Sequence, residues 1–216
     1  MLTLYIGDKN YSSWSMRAGV ALRAALIPHQ EILVRLNEPD TARQIGAISP
    51  SGRVPALRDG DLVIWDTLAI IETIAERFPE RGIWPVDPAA RAHARSASAE
   101  MHSGFAGLRE AMPMNIRKRY PGKGHTPQAD ADIERIVALW SDALSRHGGP
   151  FLFGAFSAAD AMFAPVVMRF VTYAVELPVA CQAYVDTMLA HSAVAGWVSE
   201  AHADTRVVER YDALYG

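Results

Sequence analysis

The feature that most constrains the fold is a change in sequence pattern near residue 80. Before this point, short apolar runs rich in β-forming residues alternate with helical patterns. After it, alanine, arginine, glutamate and methionine dominate, and strand signals nearly disappear. A chain of 216 residues has room for one large domain or two small ones. The change predicts two, an α/β domain over residues 1–80 and an all-helical domain over residues 88–216, joined by a linker rich in helix breakers.

The first 80 residues predict the element order β-α-β-α-β-β-α. A helix between the first two strands makes that pair parallel, because a parallel pair needs a crossover connection. The turn Arg58-Asp59-Gly60-Asp61 between two apolar runs predicts an antiparallel hairpin. The predicted strands are residues 2–6, 31–36 and 62–65, with a further strand that contains a proline at the end of the turn over 49–57. The predicted helices are about 15–26 and 66–78, and residues 39–48 are ambiguous, with one short helix as the interpretation that completes the order.

A proline interrupts the third strand of this unit. The segment from Ser49 to Leu57 contains Pro55 directly before an apolar run. Because proline cannot donate a hydrogen bond to a sheet ladder, it argues against a central strand at that point. A cis Val54–Pro55 bond in a tight turn resolves the conflict, although only about 5–6% of such bonds in folded proteins are cis.

The second half predicts helices alone. Asp87 is followed by Pro88, the pair that favours an N-cap and a first helical position. Ser157 and Asp160 have the spacing of a capping box, with Asp in place of Glu or Gln. The predicted helices are residues 88–111, 126–147, 157–175, 179–190 and 193–203.

Composition excludes several classes of function. A net charge of −3 gives no strong field toward nucleic acid or an anionic membrane. The single cysteine, Cys181, excludes an internal disulfide framework and a zinc site built from several cysteines. The histidines show no pair at metal-ligand spacing, so no metal is expected. Without a long apolar run or a signal-peptide pattern, we expect no membrane span and a cytoplasmic location.

Four short segments, taken in this order and spacing, carry a resemblance to a known family. They are Tyr11-Ser12-Ser13-Trp14-Ser15-Met16-Arg17, the turn from Ser49 to Leu57, the pair Asp66-Thr67, and Phe151-Leu152-Phe153-Gly154 with Ser157 and Asp160. Over nearly its whole length the chain resembles the cytosolic glutathione transferases. The resemblance implies a thioredoxin-like N-terminal domain that binds glutathione and a C-terminal helical bundle.

In the serine-type classes (zeta, tau and theta) of this family, a serine at the start of the first helix contacts the glutathione sulfur. By its distance from Arg17, Ser12 takes this position, with Ser13 and then Ser15 as alternatives. A hydroxyl can donate a hydrogen bond to a thiolate, and a helix N-terminus adds positive potential. Lowering a thiol pKa from about 8.5 by about two units corresponds to about 2.7 kcal/mol. The competing interpretation is that Ser12 and Ser13 only cap the helix.

The resemblance also implies the residues that hold the rest of glutathione. The backbone of Val54, before Pro55, pairs with the cysteinyl part in the manner of an added strand. Asp66 suits the γ-glutamyl ammonium group, and the Thr67 hydroxyl with the helix N-terminal amides suits its carboxylate. Arg53 is placed to reach the glycyl carboxylate. Structural capping by Asp66 and Thr67, and a solvated Arg53, are the alternatives.

The second substrate is expected between the two domains. Methionine and aromatic side chains form an adaptable apolar lining, but at helical spacing they equally suit a bundle core. The candidates are Trp14, Met101, His102, Phe105, Met112, Met114 and Arg117.

The resemblance therefore implies conjugation of glutathione to a small hydrophobic electrophile, and it implies a homodimer, the usual state of members of this family. The alternatives are a glutathione-dependent isomerase of the maleylacetoacetate type and a non-catalytic binding module. The stretch Ser12-Ser13-Trp14-Ser15 is similar to the zeta pattern Ser-Ser-Cys-Ser, but Trp14 replaces the cysteine, so isomerisation is not preferred.

Overall fold

The computed structural model describes residues 1–215, and its strands all lie in the first third of the chain. They are β1 (Leu2–Ile6), β2 (His29–Leu33), β3 (Ala56–Asp59) and β4 (Leu62–Trp65). They form one sheet in the order β2-β1-β3-β4, in which β1 and β2 are parallel and the other pairs antiparallel. Helices α1 (Ser13–Ala24), α2 (Thr41–Gly46) and α3 (Thr67–Arg77) connect and follow these strands. The predicted order β-α-β-α-β-β-α is therefore confirmed.

The rest of the described chain is helical, apart from a pair of isolated bridges at residues 151–155. Its helices are α4 (Pro88–Ser103), α5 (Ala106–Ala111), α6 (Pro127–His147), α7 (Ala158–Tyr173), α8 (Val179–Ala190), α9 (Ser192–Ala203) and α10 (Glu209–Asp212). The fold is thus a thioredoxin-like α/β unit followed by an all-helical unit, as predicted.

The prediction of one helix over residues 88–111 is wrong. The chain breaks after α4, where Phe105 has a left-handed backbone with φ +62°. The Arg109 guanidinium compensates by donating to the free carbonyls at the end of α4, at 3.1 Å to Gly104 O and 3.3 Å to His102 O. The Asp132 carboxylate accepts from the Leu108 N–H at 2.9 Å and holds the start of α5. Arg109 lies within eight residues of its acceptors, whereas Asp132 comes from the following helix α6.

Strand β2 begins and ends earlier than the predicted residues 31–36. The Val34 N–H still donates to Ile6 O at 2.8 Å, but the chain then turns away from β1. The buried Asp8 carboxylate accepts from the Arg35 side chain and from the Leu36 N–H, both at 2.9 Å. A side chain outside the strand therefore ends the sheet pairing.

Helix α1 lies between the sheet and the helical unit, and most of its residues are buried. It packs against α3 on one side and against α7 and α9 on the other. The backbone at Gly19 faces Trp197 of α9, whose indole N–H donates to Lys9 O at 3.1 Å. A side chain at residue 19 would occupy space that the indole already fills.

Replacing Gly19 with alanine is expected to destabilise the fold by about 1–3 kcal/mol, because overpacking a filled core forces its neighbours to move. The added Cβ would clash with Cζ3 of the Trp197 ring. Urea unfolding measures the loss. The matched control is Gly46→Ala at the end of α2, where no atom lies within 4 Å of the added Cβ. That change is expected to be neutral or stabilising, and equal losses in the two variants would contradict the packing argument.

The predicted capping box at the start of α7 is confirmed. The fully buried Asp160 carboxylate accepts from the Ser157 N–H at 2.8 Å, the Leu152 N–H at 3.1 Å and the Ser157 hydroxyl at 3.0 Å. Burial raises the Asp160 pKa to about 6, against the lowering effect of these hydrogen bonds. One side chain thus satisfies two buried backbone donors and one hydroxyl.

Asp160→Ala is expected to cost about 3 kcal/mol or more, because each buried donor left unpaired costs about 1–3 kcal/mol. Asp87→Ala provides the comparison, since the exposed Asp87 caps α4 through one hydrogen bond to the Ala90 N–H. A loss of about 1 kcal/mol is expected there. Thermal unfolding of both variants measures the difference, and a smaller loss at residue 160 than at residue 87 would overturn the account.

Candidate active site

Two serines, Ser12 and Ser15, tie the end of β1 to the start of α1. Ser12 is the N-cap of α1, and its hydroxyl oxygen accepts from the Ser15 N–H at 3.4 Å. The Ser12 hydroxyl donates to Ser15 Oγ at 2.8 Å, and Ser15 Oγ also accepts from the Gly7 N–H at 2.9 Å. Ser13, the first helical residue, takes no part in this network. Ser12 therefore caps α1. Both Ser12 and Ser13 also line a cavity.

A cavity of about 620 Å³ lies beside the end of the sheet and is called the sheet-side cavity below. It borders the turn before β3, where the Val54–Pro55 bond is cis, the arrangement that resolves the conflict between a proline and a strand at this point. All five residues predicted to bind glutathione line it together. They are Arg53, Val54, Pro55, Asp66 and Thr67, and the remaining lining residues are Trp14, Ser51, Trp65, His102 and Ser103.

Asp66 and Thr67 are already engaged at the start of α3. Asp66 has φ +74°, a strained backbone of the kind that clusters at functional sites. Its Oδ1 accepts from the Leu68 N–H at 2.9 Å, and its Oδ2 lies 3.4 Å from His102 Nε2. The Thr67 hydroxyl donates to Trp14 O at 3.1 Å, so its oxygen is left as an acceptor. The Leu68 and Ala69 N–H groups both donate to Asp66 Oδ1, so a ligand carboxylate at this helix N-terminus would share donors with Asp66.

Two guanidinium groups contact the ring of Trp14. The guanidinium carbons of Arg17 and Arg109 lie 4.4 Å and 4.6 Å from its ring centroid, within the range of cation–π contacts. The His102 ring meets the same indole edge-on, at a centroid distance of 5.2 Å. Trp14 is thus fixed from several directions where it borders the sheet-side cavity.

A second cavity, of about 660 Å³, lies between the sheet unit and the helical unit and is called the interdomain cavity. It contains Ser12 and Ser13, and it shares Trp14, Arg53 and Val54 with the sheet-side cavity. The two cavities therefore meet near the start of α1. The other lining residues are Tyr11, Leu36, Ile45, Gly52, Arg109, Glu110, Pro113, Met114, Arg169, Arg210, Tyr211 and Leu214.

The predicted second-substrate residues are placed unevenly. Trp14 lines both cavities and Met114 lines the interdomain cavity, whereas His102 lines the sheet-side cavity. Three of the apolar candidates line neither cavity. Met101, Phe105 and Met112 are buried in the hydrophobic core.

Arg117 also lines neither cavity, and it anchors the C-terminal segment instead. It donates to the Tyr11 hydroxyl at 3.0 Å and to the main-chain carbonyls of Asp204 and Arg206. The Tyr11 hydroxyl in turn donates to the Asp212 carboxylate and accepts from the Val208 N–H at 3.1 Å. Burial, followed by the Asp212 contact, raises the Tyr11 pKa. These contacts hold the segment that brings Tyr211 and Leu214 over the interdomain cavity.

Sequence reasoning missed several residues of the interdomain cavity. Arg109 and Arg169 lie on α5 and α7, and Tyr211 lies in α10, a helix that the sequence did not predict. One signal was available, since Arg169 is the lone charged residue in the apolar stretch 161–175. A charge inside an apolar helix points either to an internal partner or to a cavity.

Residues 1–215 hold no group of three or more His, Cys, Asp or Glu side chains placed to bind a metal ion. Within the same residues, no helix has both the length and the apolar character that crossing a bilayer requires.

Comparison with known proteins identifies the family. Residues 11–77 match the family model described as "Glutathione S-transferase, N-terminal domain", and residues 123–200 match "Glutathione S-transferase, C-terminal domain". Together the two models cover more than half of the chain.

Individual relatives agree with these models. A probable maleylacetoacetate isomerase of Caenorhabditis elegans is 28% identical over 166 residues, or 76% of each chain. The maleylacetoacetate isomerase of Pseudomonas aeruginosa is 32% identical over 144 residues, or 64% of each chain. A glutathione transferase homolog from Burkholderia, solved with bound glutathione, superposes with a TM-score of 0.72 at 24% identity, covering 94% of this chain and 99% of the other. With its fold, its two cavities and the serine-capped helix between them, the chain belongs to the glutathione S-transferase family.

Proposed function

We propose that the protein binds glutathione in the sheet-side cavity and transfers its sulfur to a small electrophile in the interdomain cavity. The observation that carries this proposal is the shared border of the two cavities at Trp14, Arg53 and Val54, with Ser12 and Ser13 beside it. A thiol held at the start of α1 would face the electrophile directly. Residues 1–80 would then be the glutathione-binding domain, and residues 88–216 would complete the second site.

Each part of glutathione finds a matching group in the sheet-side cavity. The Asp66 carboxylate suits the γ-glutamyl ammonium group, and the amides at the start of α3 suit its carboxylate. The Val54 backbone suits pairing with the cysteinyl part. Arg53 is exposed on the cavity and suits the glycyl carboxylate. The two ends of the tripeptide would thus be fixed, leaving the thiol to be positioned at α1.

The serine network suits stabilisation of a thiolate. If the Ser15 hydroxyl turns to donate to Ser12 Oγ, the Ser12 proton is released to donate to sulfur, while the Gly7 N–H still donates to Ser15 Oγ. A chain of donors polarises in one direction, and the positive end of α1 adds to it. The thiol proton leaves to solvent. The sulfur pair forms a bond to the electrophilic carbon, whose leaving group departs with its own pair.

Ser12→Ala is expected to lower kcat/KM for conjugation of chlorodinitrobenzene by about 100-fold or more, as removal of one preorganised donor does elsewhere. The ultraviolet absorbance of the bound thiolate, followed against pH, should show the glutathione thiol pKa rising toward about 8.5. Ser13→Ala is the matched control, and only a small change is expected from it. A larger loss of kcat/KM in Ser13→Ala than in Ser12→Ala would show that Ser13 contacts the thiol. Unchanged turnover in both variants would refute a serine mechanism.

Glutathione at about 100 times its Kd is expected to stabilise the fold by about 2.7 kcal/mol, measured as a shift in Tm. Asp66→Asn should reduce this shift, because the amide keeps the N-cap role but loses the charge facing the ammonium group. The control Asp61→Asn lies in the exposed hairpin turn and should keep the full shift. The absence of any shift in the unmodified protein would favour the non-catalytic binding module.

A second candidate function is glutathione-dependent isomerisation. It is favoured by the Ser12-Ser13 pair together with the names of the isomerase relatives. It is disfavoured by Trp14, which stands where the zeta pattern has cysteine. An assay with maleylacetoacetate distinguishes the two, since isomerisation returns glutathione unchanged and conjugation consumes it.

The proposal includes a homodimer in the cytoplasm. The edge strand β4 leaves Leu62 and Trp65 about half exposed, at 56% and 47%, which suits contact with a second copy. The lone buried Cys181 fits a reducing compartment. Light scattering of the purified protein measures the oligomeric state.

A further inference from the structure

Arg169 is an arginine in the protein interior with an incompletely balanced charge. Its side chain belongs to the apolar helix α7 and is only 3% exposed, yet it lines the interdomain cavity. Its Nε donates to Met112 O at 2.8 Å and its Nη1 to Pro165 O at 3.3 Å. Carbonyl oxygens orient a guanidinium group but do not cancel its charge. Buried charges are normally paired with an opposite charge, because desolvation is costly.

Two further arginines, Arg17 and Arg109, also lack a carboxylate partner for their guanidinium groups within the described residues. Arg17 is fully buried and its Nε donates to Met162 O at 2.8 Å, while within residues 1–215 its Nη1 and Nη2 have no partner. Arg109 donates to the carbonyls at the end of α4. In the described part of the chain, the hydrogen bonds of all three guanidinium groups go to main-chain carbonyls and none to a carboxylate.

The three charges also act on one another. Burial, and then the charge of Arg109, lowers the Arg169 pKa to about 9, so this group stays protonated at neutral pH. Burial lowers the Arg17 pKa well below its usual range, and Arg109 and Arg169 lower it further. Asp66 opposes the effect at Arg17, and Asp132 opposes it at Arg109. A positive potential therefore remains around the end of the cavity formed by Arg109 and Arg169.

The lining of the interdomain cavity also carries more positive than negative charge. Four arginines line it, namely Arg53, Arg109, Arg169 and Arg210, against one carboxylate on the exposed Glu110. The uncharged part of the lining includes Trp14, Met114 and Tyr211. Such a cavity suits a molecule with an apolar or aromatic body and one anionic end.

We propose that the second substrate of this protein carries a carboxylate, and that Arg169, assisted by Arg109, receives this group inside the interdomain cavity. The inference rests on the proposed function, because it assigns the chemistry of the electrophile that meets the glutathione sulfur. Arg169 acts as a specificity-determining residue in this assignment. It binds the anionic end of the substrate and takes no part in bond making.

The competing explanation is that the arginines stabilise the glutathione thiolate. The two explanations differ in what Arg169 affects. A thiolate role would change the pKa of the bound thiol for every electrophile, whereas a substrate role would change only the preference for an anionic group.

The test compares two glutathione conjugates that differ in one charge, S-(4-carboxybenzyl)glutathione and its neutral counterpart S-(4-carbamoylbenzyl)glutathione. Titration calorimetry on the full chain is expected to show about tenfold or greater preference for the carboxylate, because an ionised partner strengthens a hydrogen bond to arginine. Arg169→Met should reduce this preference to about twofold or less, and Arg169→Lys should keep part of it.

The matched control is Arg146→Met, which removes one positive charge from the exposed end of α6, outside both cavities. It should keep the full preference. Glutathione affinity and the pKa of the bound thiol should be unchanged in Arg169→Met. The preference of the unmodified protein, and its decline with added salt, test the proposal even if that variant does not fold.

Several results would overturn the inference. Equal affinity of the unmodified protein for both conjugates would exclude an anion site, while leaving the glutathione site intact. A preference that persists in Arg169→Met, together with a raised thiol pKa, would assign the arginines to the thiolate. If neither glutathione nor either conjugate binds, the proposed function fails together with the inference.

Discussion

The close packing of α1 between the sheet and the helical unit is the constraint on which the rest of the structure depends. This helix packs against α3, α7 and α9, and it has almost no solvent-facing side. Arg17 Nε is bound to a carbonyl of α7, and Gly19 admits the Trp197 ring where a side chain would not fit. The N-terminus of α1 is therefore fixed in both units at once. Ser12 and Ser13 lie at that end of α1, so the packing of the core would determine where the reacting sulfur is held.

Much of the fold could be predicted from local sequence signals. The hairpin at residues 58–61, the N-cap at Asp66 and the capping box at Ser157 each depend on a few neighbouring residues, and each is found. The break between α4 and α5 depends on Arg109, which reaches back to carbonyls that would otherwise lack partners. No periodicity in the sequence reveals such a contact. The early end of β2 likewise depends on Asp8, a residue far away along the chain.

The glutathione-binding part of the candidate site could be predicted from local sequence, whereas most of the second-substrate part could not. The glutathione-binding candidates lie in two short turns, so a family pattern places them together, and the structure gathers them in one cavity. Most of the second-substrate candidates lie in or next to predicted helices, where an apolar residue facing a cavity and one facing the core look alike. Met101, Phe105 and Met112 face the core. Arg109 on α5 and Arg169 on α7 meet only because the tertiary fold places both in the lining of one cavity, so their shared positive charge becomes visible only in three dimensions.

Trp14 has a consequence for observing this protein at work. Its indole borders both cavities and contacts the guanidinium groups of Arg17 and Arg109. Of the other four tryptophans, Trp65 lines the sheet-side cavity, and the remaining three line neither cavity. We therefore expect the emission of Trp14 to change when either cavity is filled and when a bound anion alters the nearby positive charge. Trp14 fluorescence would therefore report on binding at the boundary where the two substrates would meet.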